Sequence, residues 1–358
     1  MKKENIKREN LKAIKSAEPG GVGMIGTQSC CPKLKQLLPD RDLPYDIRIM
    51  YGIDMDETEQ TEAMFYLEKS DDSETHLVYI SGLYDYITGR GFKRILKLCD
   101  AADGKYYMCR DDGIYLLYEY PGLPKFGFSF SKNGSDMMML LAKFHKYSEG
   151  YVPPPGGKAK SCWGRWIEEY KKEYAKIKKY CKQVDVKADK SAFENRFLSS
   201  RHKYMERMEN SISLLKNKGY LYSVEESMRK RQICMESFKQ SNFFSVGHDM
   251  YIKSLGKCKY DIREKDIAEL LGKLICSYRG KDNRKLIKLV DEYDSVNMLN
   301  SNSIDIIKAF LMFPEEYIKV CSKYMEDSSR RSEVEYIEKL MSAMSADNKK
   351  AKLAETLQ

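Results

Sequence analysis

The chain has 358 residues, 42% hydrophobic and 32% charged, with a net charge of +9. That length suits about two domains, and the composition excludes a disordered tail. No segment nears the roughly 18 consecutive apolar residues of a membrane span, and the polar start Met1-Lys-Lys-Glu-Asn5 lacks the apolar core of a signal peptide. A soluble protein made outside the secretory pathway is expected.

Residues 1–44 read as an N-terminal extension. A Lys-rich start passes through Pro19-Gly-Gly-Val-Gly-Met-Ile-Gly26 and ends in Pro39 and Pro44. Gly21 to Gly26 formally matches G-x-G-x-x-G, but that motif needs a strand before it and a helix after it. Neither pattern is present, so a turn-rich linker is expected. The ten cysteines include the adjacent pair Cys30-Cys31 and no C-x-x-C spacing. Several, such as Cys181 and Cys276, fall on apolar helix positions, as reduced thiols do. With four His and none at ligand spacing from a Cys, no metal site is expected.

Residues 45–120 read as a small β-rich lobe. Ile47–Tyr51 and Ala63–Leu67 have strand composition, and apolar Leu77, Ile80, Tyr84 and Ile87 predict a helix over Thr75–Thr88. Tyr106–Cys109 and Ile114–Tyr120 predict a hairpin turned at Asp111-Asp-Gly113. Pro121-Gly122 and Pro124 break the chain, which makes 121–134 a candidate hinge.

Residues 135–350 read as a larger helical lobe, followed by a tail at 351–358. Met138, Leu141, Ala142 and His145 mark one amphipathic helix, with His145 in a hydrogen-bonded structural role. Trp163, Trp166, Ile167, Tyr170, Tyr174, Ile177 and Cys181 mark the next. Phe193 to Leu215 marks another, ended by Gly219. Further helices are expected over Asp266–Cys276, Arg284–Val296, Ser303–Met312 and near Val334–Met344. Lys158 to Lys218 carries 17 Lys/Arg against 8 Asp/Glu, a basic helical insert with the whole net excess. Its lysines suit the solvated face of two helices better than a nucleic-acid surface, because the interleaved Tyr170 and Tyr174 share one core-facing stripe.

Within the helical lobe, Gln232-Ile-Cys-Met-Glu-Ser-Phe-Lys-Gln-Ser-Asn242 resembles the catalytic loop of choline-kinase-like and aminoglycoside-phosphotransferase-like enzymes. Those enzymes follow an apolar strand with His-Gly-Asp, four variable residues and an Asn. Here Ile233-Cys234 stands at the strand end, and Met235-Glu236-Ser237 stands where they carry His-Gly-Asp. Further stretches fall in the same order: Tyr45-Asp-Ile47, Gly91-Phe92, Leu141-Ala-Lys-Phe-His-Lys146 with Gly150, Phe193-Glu194, Phe197-Leu-Ser-Ser200, Leu214-Leu-Lys-Asn217, Cys258-Lys-Tyr-Asp261 with Asp266, and Phe313-Pro-Glu-Glu-Tyr-Ile-Lys319. Collinear from about Tyr45 to Lys350, the chain resembles the CotS-type spore coat proteins of endospore-forming bacteria. The resemblance implies an α+β, two-lobed protein-kinase-like fold, with a small antiparallel β lobe bearing one helix and a larger helical lobe.

It also implies where catalytic groups should stand. The Asp that would accept the hydroxyl proton is Ser237, which cannot act as a base near neutrality. The metal-binding Asp falls near Ser254, which brings no charge to hold magnesium. The phosphate-covering turn falls at Ile53-Asp-Met-Asp-Glu-Thr58, without Gly and with three carboxylates. The helix Glu falls near Gly82, with Asp85 a weak substitute. Lys69 is the best-placed phosphate lysine and Asn242 a vestigial metal residue, readable equally as a buried cap of the loop. With Met235, Glu236, Ser237 and Ser254 degenerate, a coat pseudokinase is expected. It would need no cofactor and be made in the cytoplasm of the sporulating cell before joining other coat proteins. The alternatives are a phosphotransferase using ATP and magnesium with Glu236 or Asp249 as its carboxylate, and a nucleic-acid-binding module using the basic insert.

Overall fold

The computed structural model describes residues 38–39, 64–101, 103–125, 129–278, 283–327 and 332–357. The glycine motif at 21–26, Cys30-Cys31, the strand at 47–51 and the turn at 53–58 lie outside them.

A small antiparallel sheet comes first. Strand β1 (Leu38–Pro39) pairs with β2 (Met64–Ser70), which pairs with β5 (Gly113–Glu119); β3 (Lys97–Leu98) and β4 (Met108–Arg110) also pair with β5. Two residues assigned by sequence to the extension therefore join the sheet, and Pro39 is tolerated because β1 lies at an edge. The hairpin turns where expected, with Gly113 at φ +145°, a conformation side chains resist. Both sheet faces are apolar. Phe65 and Leu67 of β2 join Met108, Tyr115 and Leu117 on one side. Tyr66 of β2 and Leu116, Tyr118 and Tyr120 join Leu77, Leu96 and Phe244 on the other.

Helix α1 (Glu74–Gly89) covers that second face, and α2 (Phe130–Ser148) begins the helical part. Then follow α3 (Trp166–Asp185), α4 (Ala192–Leu215), α5 (Lys218–Lys230), β6 (Ile233–Cys234), β7 (Phe243–Val246), β8 (Asp249–Ile252), β9 (Lys259–Tyr260), α6 (Arg263–Ser277), α7 (Arg284–Val296), α8 (Ser303–Met312), α9 (Glu315–Glu326) and α10 (Glu333–Thr356). A continuous core runs through them, with Tyr204, Phe197, Phe193, Tyr317 and Tyr324 fully buried. The α3 stripe holds: Tyr170 and Ile177 are buried and Tyr174 packs beside them. Ser191 and Glu194 cap α4 reciprocally. Among the described residues, no helix is long and apolar enough to cross a membrane, and eight cysteines are free.

Several boundaries differ from expectation: α2 begins at Phe130, inside the expected hinge 121–134, and α10 runs to Thr356, through most of the expected tail 351–358, because Leu353 and Ala354 pack into the core. Gly219 does not end the α4 segment; α4 stops at Leu215 and Gly219 lies in the first turn of α5. A Cβ there would sit 2.6 Å from Asn302 Oδ1, so glycine serves close packing and not termination. Trp163 precedes α3, stacked on Tyr260 at 4.6 Å between ring centroids.

Sheet and helices are tied at three places. Leu96 N–H donates to Ile252 O (3.0 Å) and Ile252 N–H to Arg94 O (2.9 Å). Lys125 and Ser245 exchange backbone bonds at 2.7 and 3.1 Å. The third tie is the Pro-rich stretch 150–162. Tyr151 OH donates to Tyr79 O of α1 (2.7 Å), Lys158 N–H to Thr75 O (2.8 Å), and Lys160 and Cys162 bond both sides of Tyr260 in β9. This strap presses so closely on α1 that a Cβ at Gly82 would lie 2.5 Å from Tyr151 Oη and 2.8 Å from Pro154 Cδ.

Candidate functional site

Strand β6 pairs with β9, setting Ile233 opposite Tyr260 and Cys234 opposite Lys259, and delivers the chain to Met235. Asp266, on the first turn of α6, then holds the loop. Its carboxylate accepts Met235 N–H at 2.5 Å and Glu236 N–H at 3.1 Å. His145 of α2 reaches the same carboxylate through Nε2 (3.0 Å) and Tyr293 OH through Nδ1 (2.7 Å). Because a carboxylate only accepts, Nε2 donates to Asp266. His145 thus has the structural role expected of it.

Cys234 completes a buried group with His145 and Asp266, their ligand atoms within 4.8 Å of one another. Its S–H reaches Ile262 O at 3.1 Å, and burial pushes the thiol far above its ordinary range. Metal ligation needs thiolate and free lone pairs, whereas these atoms already hold the loop in hydrogen bonds.

Glu236 has φ +50°, a left-handed conformation that disfavours any side chain. It stands at the glycine position of the resembled His-Gly-Asp, and glycine is the residue that takes this conformation most readily. The Glu236 side chain is bound to Lys259 Nζ at 2.6 Å. Burial raises the Glu236 carboxyl, and Lys259 partly offsets that.

Asn242 joins this loop to the segment expected to hold metal. Its Nδ2 donates to Ser237 O (3.3 Å) and Ser254 O (3.2 Å), while Oδ1 accepts Ser254 N–H (3.0 Å). Ser254 Oγ in turn accepts Gly256 N–H at 3.2 Å. The structure therefore brings Ser237, Asn242 and Ser254 together as expected, and occupies the Asn amide with backbone.

Lys69 is elsewhere, which corrects its expected place over the phosphates. It shares the sheet face of Phe65 and Leu67, exposed, with Nζ 3.4 Å from Asp112 Oδ2 in the hairpin turn. The neighbouring residue Glu68 has the opposite facing and meets Tyr118 and Ser254. Burial raises the Glu68 carboxyl, and the hydrogen bonds from Tyr118 and Ser254 and the charge of Lys253 act against that rise. The lysine of this region is Lys253, which sequence reasoning missed. It is only 8% exposed, with its ammonium 3.9 Å from the Tyr66 ring centroid. Burial lowers the Lys253 amine, and Glu68 counteracts it. The positions of charge are inverted from those the resemblance implies: an acid on the strand, a cation beside Ser254.

The other expected groups lie apart. Asp85 accepts a bond from Tyr106 OH at 2.6 Å, on the exposed side of α1. Asp249 pairs with Arg94 at the start of β8. Between the sheet and the β7–β8 hairpin, Tyr120 meets Phe244 edge-on at 5.0 Å, and Phe244 stacks with Tyr251 at 5.3 Å.

This arrangement, a five-stranded sheet tied over a loop held by an α6 aspartate, matches known proteins. The family model for the spore coat putative kinase YutH covers residues 45–357. The chain belongs to that family. Spore coat protein S of Bacillus subtilis (strain 168) is 20% identical over 248 residues, 69% of this chain and 70% of that protein. The endospore coat-associated protein YutH of the same organism is 22% identical over 227 residues, 62% of this chain and 65% of that one. Among solved structures, an aminoglycoside phosphotransferase from Alicyclobacillus acidocaldarius superposes with a TM-score of 0.72 at 15% identity, covering 84% of this chain and 87% of that one. An AMP-bound spectinomycin phosphotransferase gives 0.55 at 15% identity, covering 82% and 87%. The YutH-family chain therefore has the aminoglycoside-phosphotransferase-like fold expected from its sequence.

Proposed function

We propose that this chain acts in the spore coat as a non-catalytic scaffold, a pseudokinase working through contacts with other coat proteins. The carrying observation is the Asn242–Ser254 bond pair beside Lys253. A magnesium ion wants carboxylate oxygens; here both expected carboxylate positions are serines, the Asn242 amide is already bonded to backbone, and the carboxylate that meets Ser254, Glu68, is answered by Tyr118 and the Lys253 ammonium. Phosphoryl transfer would also need a base, and Glu236 is held by Lys259. The coat location follows from the names of the curated relatives.

Thermal melting of the full chain with ATP, with and without magnesium, tests the reading. No magnesium-dependent rise in Tm is expected. A rise matching about 2.7 kcal/mol, that of a ligand at a hundred times its Kd, would show a working site and overturn it.

The partner surface is read onto the outer side of α3. There Lys178, Lys179 and Lys182 are exposed, while Lys171, Lys172 and Lys176 are neutralised by Glu168, Glu169 and Glu326. Reversing the first three to Glu should displace a fluorescent fusion from the coat of sporulating cells. Unchanged localisation would remove this surface from the reading.

A further inference from the structure

A cavity of about 540 Å³ opens between α6, α9 and α10. Its volume falls in the range of small-molecule sites, roughly 300–1,000 Å³. Phe310, Leu311 and Phe313, from the end of α8 and the turn after it, supply an apolar wall. Lys265, Lys273, Lys319, Lys339 and Lys350 supply five ammonium groups, against the carboxylates of Glu269, Glu315 and Glu316.

Part of this charge is answered internally. Lys265 Nζ lies 2.9 Å from Glu315 Oε1, Lys350 Nζ lies 3.4 Å from Asp347 Oδ1, and Lys339 pairs with Glu335. Lys273 and Lys319 have no ion pair within 4 Å among the described residues, and both are exposed at the mouth. Glu269 and Glu316 also have no ion-pair partner within that distance among the described residues; burial pushes the Glu269 carboxyl up to about 7, which leaves Lys273 and Lys319 facing chiefly the one carboxylate of Glu316.

We propose that this cavity binds a small organic dianion, carrying two carboxylates or a phosphate ester on an apolar body. An amine would meet the lysine excess and be repelled. A dianion satisfies Lys273 and Lys319 while its body covers the phenylalanines, the division of labour usual in such sites. The three surrounding helices favour a small molecule over a chain segment.

Calorimetric titration of the full chain with benzene-1,2-dicarboxylate and with phenyl phosphate tests this, with benzyltrimethylammonium as the opposite charge. At least one dianion should bind saturably at a single site, and the better probe tells carboxylate from phosphate recognition. Lys273→Glu and Lys319→Glu should each weaken it about tenfold or more, with the melting curve unmoved because both side chains are exposed. The proposal fails if neither dianion saturates, if binding survives both reversals, or if the cation binds equally well.

Discussion

In the cleft, Glu68, Lys253, Ser254, Tyr118 and Asn242 answer one another across the sheet and the 235–254 segment, and aromatic rings fill the space between sheet and hairpin. In the α6–α9–α10 cavity, Lys273, Lys319, Glu269 and Glu316 have no ion-pair partner within 4 Å among the described residues. A desolvated charge is tolerated when neighbours neutralise it, and an open charged lining is tolerated because water or a ligand can reach it. The contrast separates groups that hold this molecule together from groups left available for recognition.

The strongest challenge to that contrast is Asp266→Ala. It strands two backbone N–H groups and His145 in a buried site, so denaturant unfolding should show a loss of about 3–5 kcal/mol. A loss below about 1 kcal/mol would mean that the loop is not held from α6. Next, Gly82→Ala forces a methyl group onto Tyr151 and Pro154. Overpacking should cost about 1–3 kcal/mol despite the better helix propensity of Ala; a gain in stability would show that the strap yields.

The smallest effect concerns the cavity. The folded-state pKa of Glu269 is raised above its ordinary value to about 7. Its contribution to stability is therefore fully present below the unfolded value and lost as pH rises through about 7. Glu269→Gln stays neutral, so its unfolding free energy should equal that of the parent near pH 4 and exceed it at pH 8, by on the order of 1–2 kcal/mol. Parallel pH profiles would mean that the cavity wall is well hydrated.

Much of the architecture is legible from local pattern. Asp111-Asp-Gly113 signals its turn because few residues accept that backbone, and α7 and α8 begin and end where their apolar periodicity does. Lys69 was misplaced because both faces of β2 are apolar. With Tyr66 on one side and Phe65 and Leu67 on the other, no alternation tells whether position 68 or position 69 faces Ser254. Lys253 was missed for a related reason, since a lysine beside Ser254 reads as solvated until its burial is known. Helix α5 was hidden by Gly219, a residue that usually ends helices but here accommodates Asn302. The Asp266 hub spans 121 residues to His145, a distance at which periodicity carries no information.

The strap across α1 also bears on mechanics. A kinase-shaped enzyme exchanges nucleotide by letting its small lobe rock against the large one. Here the same helix is stapled through its own carbonyls at Tyr79 and Thr75, and the sheet is sewn to β7 and β8 on two further seams. Rocking would break backbone bonds in several places together. A tensile load applied to the sheet would pass straight into the helical body as shear along these seams. The seams thus couple the sheet, α1 and the helical part through main-chain bonds, so that they share a load.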